Sequence, residues 1–348
     1  MDSPLRRALT ALANRQSLSE EQTAEVFAVV MSGDATPAQI GGLLMGLRAK
    51  GETADELAGA ARALRHAMVR VNAAHQHLVD TCGTGGGSVS TFNISTVAAF
   101  VASGAGAVVP KHGNRSYTSR CGSADVLEAL GIRIVLDAAN ASRVLEEARV
   151  VFLFAPSFHP AMKHVGPVRR ELGTPTLMNL VGPLANPAGV KRQVIGVAEP
   201  ERAPIVAEAL VRLGAEHALV VHGRVGMDEI SPHGVTDVWE VKDGAVRSWE
   251  IDPERFRLGI KDVGHLQGGE PAANAERLER ILGNGAAGNE PDPAGLAAVL
   301  LNAGAALYVA GVAASLAEGI GRAREVVASG AARAALDRLR KATASISG

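Results

Sequence analysis

The sequence predicts an α/β protein: a small all-helical domain followed by a larger α/β domain with a mostly parallel central sheet. Two observations lead to this prediction. The first 72 residues carry only helical periodicity, and the chain beyond them alternates short apolar strands with helices. A chain of 348 residues is long enough for one large domain or two smaller ones. We therefore expect a helical domain over residues 1–72, joined by part of about 163–190, and an α/β domain over 73–348.

The N-terminal part is predicted to contain short helices, most of them preceded by residues that commonly cap a helix. Ser17–Glu20 offers N-cap side chains for the second helix, Thr36 begins the third and Thr53 begins the fourth. The expected helices are a first one carrying Leu5, Leu9 and Leu12, and three more over about 20–31, 36–47 and 53–68. Because short helices cannot bury their apolar faces alone, we expect them to form a small bundle.

After residue 72 the alternation of strands and helices is typical of βαβ units and a parallel sheet. Expected strands cover 77–80, 107–109, 132–136, 150–154, 194–198 and 218–222, and expected helices cover about 93–103, 124–130, 138–148 and 203–213. A Lys-Asp-Gly turn at 242–244 predicts a β-hairpin of strands 237–241 and 246–251. The Gly- and Pro-rich segment 173–190 is expected to be a turn-rich connection between domains, and the chain from about 294 is expected to be helical.

Composition and charge argue against several classes of protein. The chain has 35 basic and 36 acidic residues, whereas a protein that mainly binds nucleic acid usually carries a basic excess. Its two cysteines are too few for a disulfide scaffold, Met1–Arg7 is not followed by the apolar run of a secretory signal, and apolar stretches such as 97–109 are too short to span a bilayer. We therefore expect a cytoplasmic protein with no nucleic-acid or membrane partner.

A glycine-rich loop over Gly83–Gly87 follows the first predicted strand, and Asn93–Thr96 opens the next helix. Glycines let the backbone approach a bulky anion, successive N–H groups form an anion-binding nest, and a helix N-terminus adds unpaired donors. The loop lacks the lysine of a Walker motif and the spacing of a dinucleotide-binding motif. The sequence therefore predicts a phosphate site here, with an ordinary tight strand–helix turn as the alternative.

Two further loops carry charges that suit a phosphorylated ligand. The basic loop Lys111–Ser119 follows the next strand, at an end where open α/β sheets bind ligands. Asp228 and Glu229 follow a later strand and could ligate Mg²⁺, which prefers oxygen ligands, although an adjacent acidic pair is usually a solvated surface feature.

Several shorter motifs occur between and around these loops, in order over most of the chain. They are Gly83-Thr84-Gly85-Gly86, Thr91-Phe92-Asn93-Ile94-Ser95-Thr96, Lys111-His112-Gly113-Asn114-Arg115, Gly122-Ser123-Ala124-Asp125, Phe158-His159-Pro160-Ala161-Met162, Arg169-Arg170-Glu171-Leu172-Gly173, Asn179-Leu180-Val181-Gly182-Pro183-Leu184, and His222-Gly223 before Met227-Asp228-Glu229. Together they resemble the motifs of the anthranilate phosphoribosyltransferases.

The resemblance implies a Mg²⁺-dependent pentosyltransferase of tryptophan biosynthesis. The family transfers the phosphoribosyl group of phosphoribosyl pyrophosphate (PRPP) to the amine of anthranilate and releases pyrophosphate, the second step from chorismate to tryptophan. It also implies a fold like that of the pyrimidine nucleoside phosphorylases, with the active site between the two domains, and a homodimer that pairs through the helical domains.

The resemblance assigns residues to three sites. PRPP binding falls to Gly83, Gly86, Gly87, Thr91, Asn93, Ser95, Thr96, Lys111, Asn114, Arg115, Ser119 and Ser123. Anthranilate binding falls to Gly83, Asn114, Pro156, His159, Met162, Arg169 and Gly182, with the Arg169 guanidinium facing the substrate carboxylate. Mg²⁺ binding falls to Ser95, Asp228 and Glu229.

The family commonly has an acidic residue where this chain has Gly87, which can offer only its backbone N–H. No residue is assigned as a general base, because the neutral amine of anthranilate is already a nucleophile. His112 is a candidate proton acceptor or positioning group, and a purely structural histidine is the alternative. Two other functions remain open at this stage: a pyrimidine nucleoside phosphorylase of the same fold, and a non-enzymatic relative that binds nucleic acid.

Overall fold

The computed structural model describes residues 3–73, 75–116, 120–283 and 292–346. Its N-terminal part is helical, as predicted, and consists of α1 (Pro4–Ala13), α2 (Glu20–Ser32), α3 (Pro37–Lys50) and α4 (Ala54–Ala67). The side chains of Ser19, Thr36 and Thr53 each accept a backbone N–H of the following helix, and each is completed into a capping box by the residue three positions later. The helix starts predicted from these capping residues are therefore confirmed.

Strands and helices alternate in the rest of the chain. The elements are β1 (Asp80–Gly83), α5 (Ile94–Gly104), β2 (Val109–Gly113), α6 (Ser123–Ala129), α7 (Ala138–Ala148), β3 (Val150–Phe154), α8 (Ala155–Phe158), α9 (Met162–Leu172), α10 (Leu177–Val181), β4 (Arg192–Gly196), α11 (Ala203–Arg212), β5 (His217–Gly223), β6 (Thr236–Lys242), β7 (Ala245–Ile251), α12 (Pro271–Leu282), α13 (Pro293–Ala310), α14 (Leu316–Ala328) and α15 (Ala331–Ala344). The predicted hairpin is β6–β7, and the alternation confirms the α/β class.

The main sheet has the strand order β1-β4-β5-β6-β7. Its first three strands are parallel, and the hairpin adds two antiparallel strands at one edge. Strands β2 and β3 form a separate parallel pair, which a parallel bridge between Leu78 and Val108 places beside β1. The carboxyl ends of β1, β2, β4 and β5 consequently lie on the same side of the molecule.

Three local predictions are corrected. The segment 132–136 is not a strand: Ile132, Ile134 and Leu136 are buried on one face, but alternating burial does not supply the neighbouring strand that a ladder of hydrogen bonds requires. The strand predicted over 77–80 begins at Asp80 and continues into the glycines. The segment 173–190 is not entirely turns, because it contains α10 and a 3₁₀ turn over Gly182–Leu184.

Two apolar clusters lie on opposite faces of the main sheet. Val194 and Leu219 face a cluster formed with α5 and α13, whereas Ile195 and Val220 face a cluster formed with the N-terminal helices, α9, α10 and α11. Successive strand residues point to opposite faces, so each strand contributes to both clusters. The domain boundary near residue 72 stays a prediction; the packing of α9 and α10 against α2, α3 and α4 supports the part of it that joins 163–190 to the helical domain.

Helix α13 is long and apolar enough to cross a membrane by length and composition alone. In this fold 83% of that stretch is buried, between α5 and α14 and against the sheet. It is therefore the central helix of the larger cluster.

Candidate active site

The polar motifs predicted from the sequence converge at the carboxyl edge of the sheet. The glycine loop follows β1, Asn114 and Arg115 follow β2, and Asp228 and Glu229 follow β5. Helix α5 also begins here, because its Ser95 N–H donates to Glu229 Oε1. This is the edge at which open α/β sheets bind ligands.

The glycine loop closes over the side chain of Asp228. Gly85 N–H donates to Asp228 Oδ2 over 2.8 Å, and Gly85 and Gly86 have φ angles of +68° and +83°, which favour glycine. A Cβ added at Gly83 would lie 2.7 Å from Asp228 Oδ2, and one at Gly196 would lie 1.7 Å from the Asp228 carbonyl oxygen. The glycines therefore let the carboxylate reach the backbone of the loop.

Gly87, where the chain departs from the family pattern, packs against the segment that follows β5. A Cβ there would lie 2.9 Å from the Gly226 carbonyl oxygen and 3.3 Å from Asp228 Oδ1. An acidic side chain at this position would meet a carbonyl and a carboxylate, so the loop would have to move away. The absence of a side chain at Gly87 therefore lets the glycine loop pack directly against the Gly226–Asp228 segment.

The two carboxylates are close together and poorly solvated, and both have raised pKa values. Burial, followed by the charge of Asp228, raises the pKa of Glu229 to about 8, and burial raises the pKa of Asp228. The Lys111 charge and the Ser95 N–H, which donates to Glu229 Oε1 over 3.3 Å, only partly offset these effects. A cation bound to the pair would favour the ionised forms of both groups.

Lys111 is buried behind the start of α5, with 4% of the residue exposed. Its Nζ donates to the Thr81 carbonyl oxygen and, over 3.2 Å, to Ser95 Oγ. Burial lowers the pKa of Lys111, and the nearby Asp80 carboxylate opposes that shift. Asp80 is also buried, which raises its pKa, and it accepts a hydrogen bond from Asn186 Nδ2 over 2.8 Å. The site therefore contains charges of both signs that water cannot fully solvate.

His112 and His159 form a buried contact beside this cluster. Their Nε2 atoms lie 3.1 Å apart, so one ring donates a hydrogen bond and the other accepts it. Burial lowers the pKa of His112 to about 3 and that of His159 to about 4. Both rings are neutral near pH 7 and are weak bases. The contact ties the segment after β3 to β2.

The basic loop is held by helix α6. The Arg115 guanidinium lies 2.9 Å from Asp125 and 2.5 Å from Glu128, and these two partners raise the pKa of Arg115. Ser123 Oγ donates to the Asn114 carbonyl oxygen over 3.2 Å. Asn114 and Ser123 are thus brought together, while the Arg115 charge is paired with acidic residues in this structure.

The other residues assigned to PRPP lie around the start of α5, with one exception. Thr91 and Asn93 are half-buried just before the helix, and Asn93 Nδ2 donates to the Cys121 carbonyl oxygen over 3.1 Å. Thr96 is buried and lines a small internal void, so its side chain lies behind the site. Ser119 lies outside the described residues.

Apart from Gly83 and Asn114, which the PRPP site shares, the residues assigned to anthranilate follow β3. Pro156 is exposed on α8, Met162 is half-buried at the start of α9, and Gly182 begins the 3₁₀ turn. Arg169, in the last turn of α9, has its Nη2 3.4 Å from Asn179 Oδ1. Within this group the His112 contact connects His159 directly to the PRPP motifs.

Three buried polar residues at this edge were not predicted as site residues. Asp80 and Asn186 bond each other behind the glycine loop, and Asn274 on α12 bonds Asn93. Asp80 carried a signal, since it stands between an apolar strand and the glycines. Asn186 and Asn274 carried none, because they reach the site from distant parts of the chain.

The carboxylate pair suits a hard divalent cation. Among the described residues there is no cluster of three or more His, Cys, Asp or Glu side chains. Mg²⁺ in nucleotide-type sites usually needs only one or two carboxylates, because water and substrate phosphates complete its shell. Asp228, Glu229 and the Ser95 hydroxyl beside Glu229 match that need, and a bound divalent cation would oppose the burial that raises the pKa values of both carboxyl groups.

Known protein families match almost the whole chain. Residues 6–68 match the model described as "Glycosyl transferase family, helical bundle domain", and residues 75–333 match "Glycosyl transferase family, a/b domain". The chain is 49% identical to an anthranilate phosphoribosyltransferase of Laribacter hongkongensis over 96% of each chain. It is also 49% identical to one from Anaeromyxobacter dehalogenans, over 97% of this chain and 98% of that relative.

Solved structures agree with the sequence comparisons. The anthranilate phosphoribosyltransferase of Thermus thermophilus superposes with a TM-score of 0.91 at 42% identity, over 99% of this chain and 100% of that one. The Saccharomyces cerevisiae enzyme in complex with PRPP and Mg superposes with a TM-score of 0.89 at 29% identity, over 98% of each chain. These matches confirm the predicted fold class, and the chain belongs to the anthranilate phosphoribosyltransferase family.

Proposed function

We propose that the protein transfers the phosphoribosyl group of PRPP to the amine of anthranilate, giving N-(5-phosphoribosyl)anthranilate and pyrophosphate for tryptophan biosynthesis. One observation carries the proposal beyond family membership. The glycine loop, the start of α5, the buried Lys111 and the Asp228–Glu229 pair meet at one edge, where burial shifts the pKa values of Lys111 and of both carboxyl groups towards their neutral forms. Such a site suits an anionic ligand that arrives with a divalent cation.

Mg²⁺ is the cation that this donor set fits, held by Ser95, Asp228 and Glu229. When bound, it neutralises the pyrophosphate that leaves. The carboxylates presently accept the Gly85 and Ser95 N–H groups, which are donors that a phosphate would also use. If Asp228 and Glu229 held Mg²⁺ instead, these N–H groups would be free to donate to a phosphate of the substrate.

The rest of the PRPP site is proposed from the family motifs and their position. It comprises the backbone or side chains of Gly83, Gly86, Gly87, Thr91, Asn93, Ser95, Thr96, Lys111, Asn114, Arg115, Ser119 and Ser123. In this mechanism the bond between C1 and pyrophosphate loosens first and leaves an oxocarbenium-like ribose. Lys111 stabilises the departing diphosphate, an electrostatic role that requires little covalent chemistry from the protein.

Anthranilate is proposed to bind along Gly83, Asn114, Pro156, His159, Met162, Arg169 and Gly182. The planar Arg169 guanidinium suits its planar carboxylate, and with Asn114 it places the amine opposite the leaving group. The low pKa of His112 makes it a poor proton acceptor, so we assign it a positioning role together with His159.

Two further properties belong to the proposal. We infer a homodimer that pairs through the helical domain and a cytoplasmic location, as the family resemblance and the sequence composition suggest. The nucleoside phosphorylase alternative is less favoured, because it gives the Asp228–Glu229 pair no diphosphate to serve.

The test is the loss of anthranilate fluorescence upon mixing purified protein, PRPP and Mg²⁺. We expect consumption of anthranilate that requires all three additions. Parallel mixtures with a pyrimidine nucleoside and inorganic phosphate test the alternative. Nucleoside cleavage without anthranilate consumption would overturn the proposal.

A further inference from the structure

We propose that Asn274, on α12, is a positioning residue for PRPP because, together with Cys121, it fixes the orientation of the Asn93 side-chain amide. The inference rests on the proposed function and deepens it. Asn274 lies 181 positions from Asn93 in the chain, and its Nδ2 donates to Asn93 Oδ1 over 3.0 Å. Asn274 is 4% exposed, so water does not compete for this hydrogen bond.

The orientation of Asn274 is itself set by the backbone. Gly269 N–H lies 2.8 Å from the Asn274 amide, and a backbone N–H can only donate. The Asn274 atom facing Gly269 must therefore be Oδ1. This leaves Nδ2, which can only donate, to face Asn93.

The same reasoning fixes Asn93. Its atom facing Asn274 Nδ2 must be an acceptor, so Oδ1 occupies that position and Nδ2 turns towards Cys121. One Nδ2 hydrogen is donated to the Cys121 carbonyl oxygen over 3.1 Å. An amide nitrogen carries a second hydrogen. This one has no acceptor in the described part of the chain, so we infer that it serves a ligand beside the N-terminus of α5. The Cys121 thiol also donates to Asn93 Oδ1, over 3.4 Å, so Asn274 and Cys121 together hold Asn93 with Oδ1 towards Asn274 and Nδ2 towards the Cys121 carbonyl oxygen.

Neighbouring contacts fix the positions of the hydrogen-bonded residues Gly269, Asn274 and Asn93. Phe92 N–H donates to the Leu266 carbonyl oxygen over 2.9 Å, and a Cβ on Gly268 would lie 2.5 Å from the Thr91 carbonyl oxygen. One turn after Asn274, the Arg277 guanidinium lies 4.2 Å from the centre of the Phe92 ring. Helix α12 and the loop before it therefore form a fixed backing for the motif that starts at Thr91.

The variant Asn274→Asp tests the proposal with almost no change of shape. Its carboxylate still accepts the Gly269 N–H but faces Asn93 Oδ1 with an acceptor in place of a donor. The Asn93 amide must then either turn over and lose its hydrogen bond to the Cys121 carbonyl oxygen, or move away from position 274. At about pH 8.5 we expect the KM for PRPP, and the Kd of PRPP with Mg²⁺ measured by calorimetry, to rise about tenfold, which corresponds to one lost buried hydrogen bond. The KM for anthranilate should change less than about twofold.

Two controls separate positioning from general damage. Leu278→Ala, at a buried position of the same helix, should lower the melting temperature without a selective rise in the KM for PRPP. Asn274→Leu, which removes both polar atoms, should reproduce the selective rise. In an Asn93→Ala background, Asn274→Asp should add little, because its effect passes through Asn93.

An effect of Asn274→Asp that adds fully to Asn93→Ala would overturn the proposal, as would equal changes in both KM values or none. The calorimetric measurement needs no turnover. If the wild-type protein binds PRPP with Mg²⁺ but does not consume anthranilate, the proposed function fails while the role of Asn274 is still decided.

Discussion

Both ends of the central sheet carry acidic and basic side chains, but the pKa values of the acidic groups are raised at the carboxyl end and lowered at the amino end. At the amino ends of β4 and β5 lies a cavity of about 800 Å³, whose lining includes Arg192, Glu216, His217, Glu318 and Arg322. The charges there are paired: Arg192 with Glu216 at 3.3 Å, and Arg322 with Glu318 at 2.8 Å. The cavity is large, but its charged side chains stabilise each other.

Glu240, next to that cavity, shows the same balance. It accepts hydrogen bonds from His217 over 2.9 Å and from Tyr308 over 2.7 Å, and His217 is the main reason why its pKa falls to about 2. At the carboxyl end the shifts have the opposite sign, because burial raises the pKa of Asp228 and Glu229 and lowers that of Lys111. Burial that favours the neutral forms of acidic and basic groups, rather than cavity volume, distinguishes the end where we propose that the substrates bind.

The largest expected effect separates two lysines, one from each end. Lys111→Met removes a buried cation from the carboxyl end and should lower kcat/KM by about 10²–10³-fold, as the loss of a transition-state charge partner does elsewhere. Lys242 lines the cavity at the amino end, and the variant Lys242→Met should keep kcat/KM within about twofold of the wild-type value. Steady-state rates of anthranilate consumption measure both. Comparable losses in the two variants would remove the functional distinction between the ends.

The next effect separates two arginines. Arg169→Ala should raise the KM for anthranilate about 10–100-fold, the cost of a lost charge-assisted hydrogen bond, with little change in the KM for PRPP. Arg192→Ala in the cavity is the matched control and should change neither value appreciably. If Arg169→Ala raised the KM values for both substrates equally, the carboxylate-binding role of Arg169 would be wrong.

A smaller effect concerns the metal. The double variant Asp228→Asn, Glu229→Gln should raise the Mg²⁺ concentration for half-maximal activity about tenfold or more, because neutral amides attract the cation less than carboxylates do. The measurement is an Mg²⁺ titration of the initial rate after removal of metal with a chelator. The control double variant Glu216→Gln, Glu318→Gln, in the cavity at the amino end, should leave the Mg²⁺ titration unchanged. An unaltered response in the first variant would remove the pair from the metal site.

The smallest effect is a difference in pH dependence. The folded pKa of Glu229, about 8, lies above its ordinary value of 4.5, so its contribution to stability is present below pH 4.5 and is lost as the pH rises through 8. The folded pKa of Glu240, about 2, lies below 4.5, so its contribution is present above pH 4.5 and is lost as the pH falls towards 2. Between about pH 5 and 8.5, the free energy of unfolding of the metal-free protein should therefore fall because of Glu229, while the contribution of Glu240 stays constant.

Urea unfolding of metal-free variants measures this difference. Glu229→Gln should raise the free energy of unfolding at about pH 8.5, and Glu240→Gln should lower it by about 1–2 kcal/mol at neutral pH through loss of charged hydrogen bonds. Added Mg²⁺ should stabilise the wild-type protein more at pH 8.5 than at pH 6, because the carboxylates must ionise to bind it. Changes of the same sign in both variants would contradict the comparison.

Local sequence signals predicted much of the fold. Ser19, Thr36 and Thr53 marked helix starts correctly because capping depends on residues within one turn. The hairpin was equally local, since its turn residues and strand alternation are adjacent in the chain. The strand predicted over 132–136 was wrong, because an alternating apolar pattern indicates only that one face is buried and does not indicate whether a partner strand lies beside it.

The candidate site likewise contains features that local sequence signals predict and features that depend on contacts between distant residues. The glycine loop and the Asp228–Glu229 pair could be found because each is a short run with its own chemistry. Asn274 could not be found, since a single asparagine on an amphipathic helix carries no pattern of its own. Its significance depends on a contact with Asn93, 181 positions away.

By itself the sequence determined the α/β class, the family resemblance, the loops that carry the charges and the departure at Gly87. Only the tertiary structure decided that Glu229 has a raised pKa, that His112 is a weak base and that Asn274 donates a hydrogen bond to Asn93. The physical reason is that residue types and spacing set which groups a segment offers. Burial and hydrogen-bond direction depend on which distant groups fold against them.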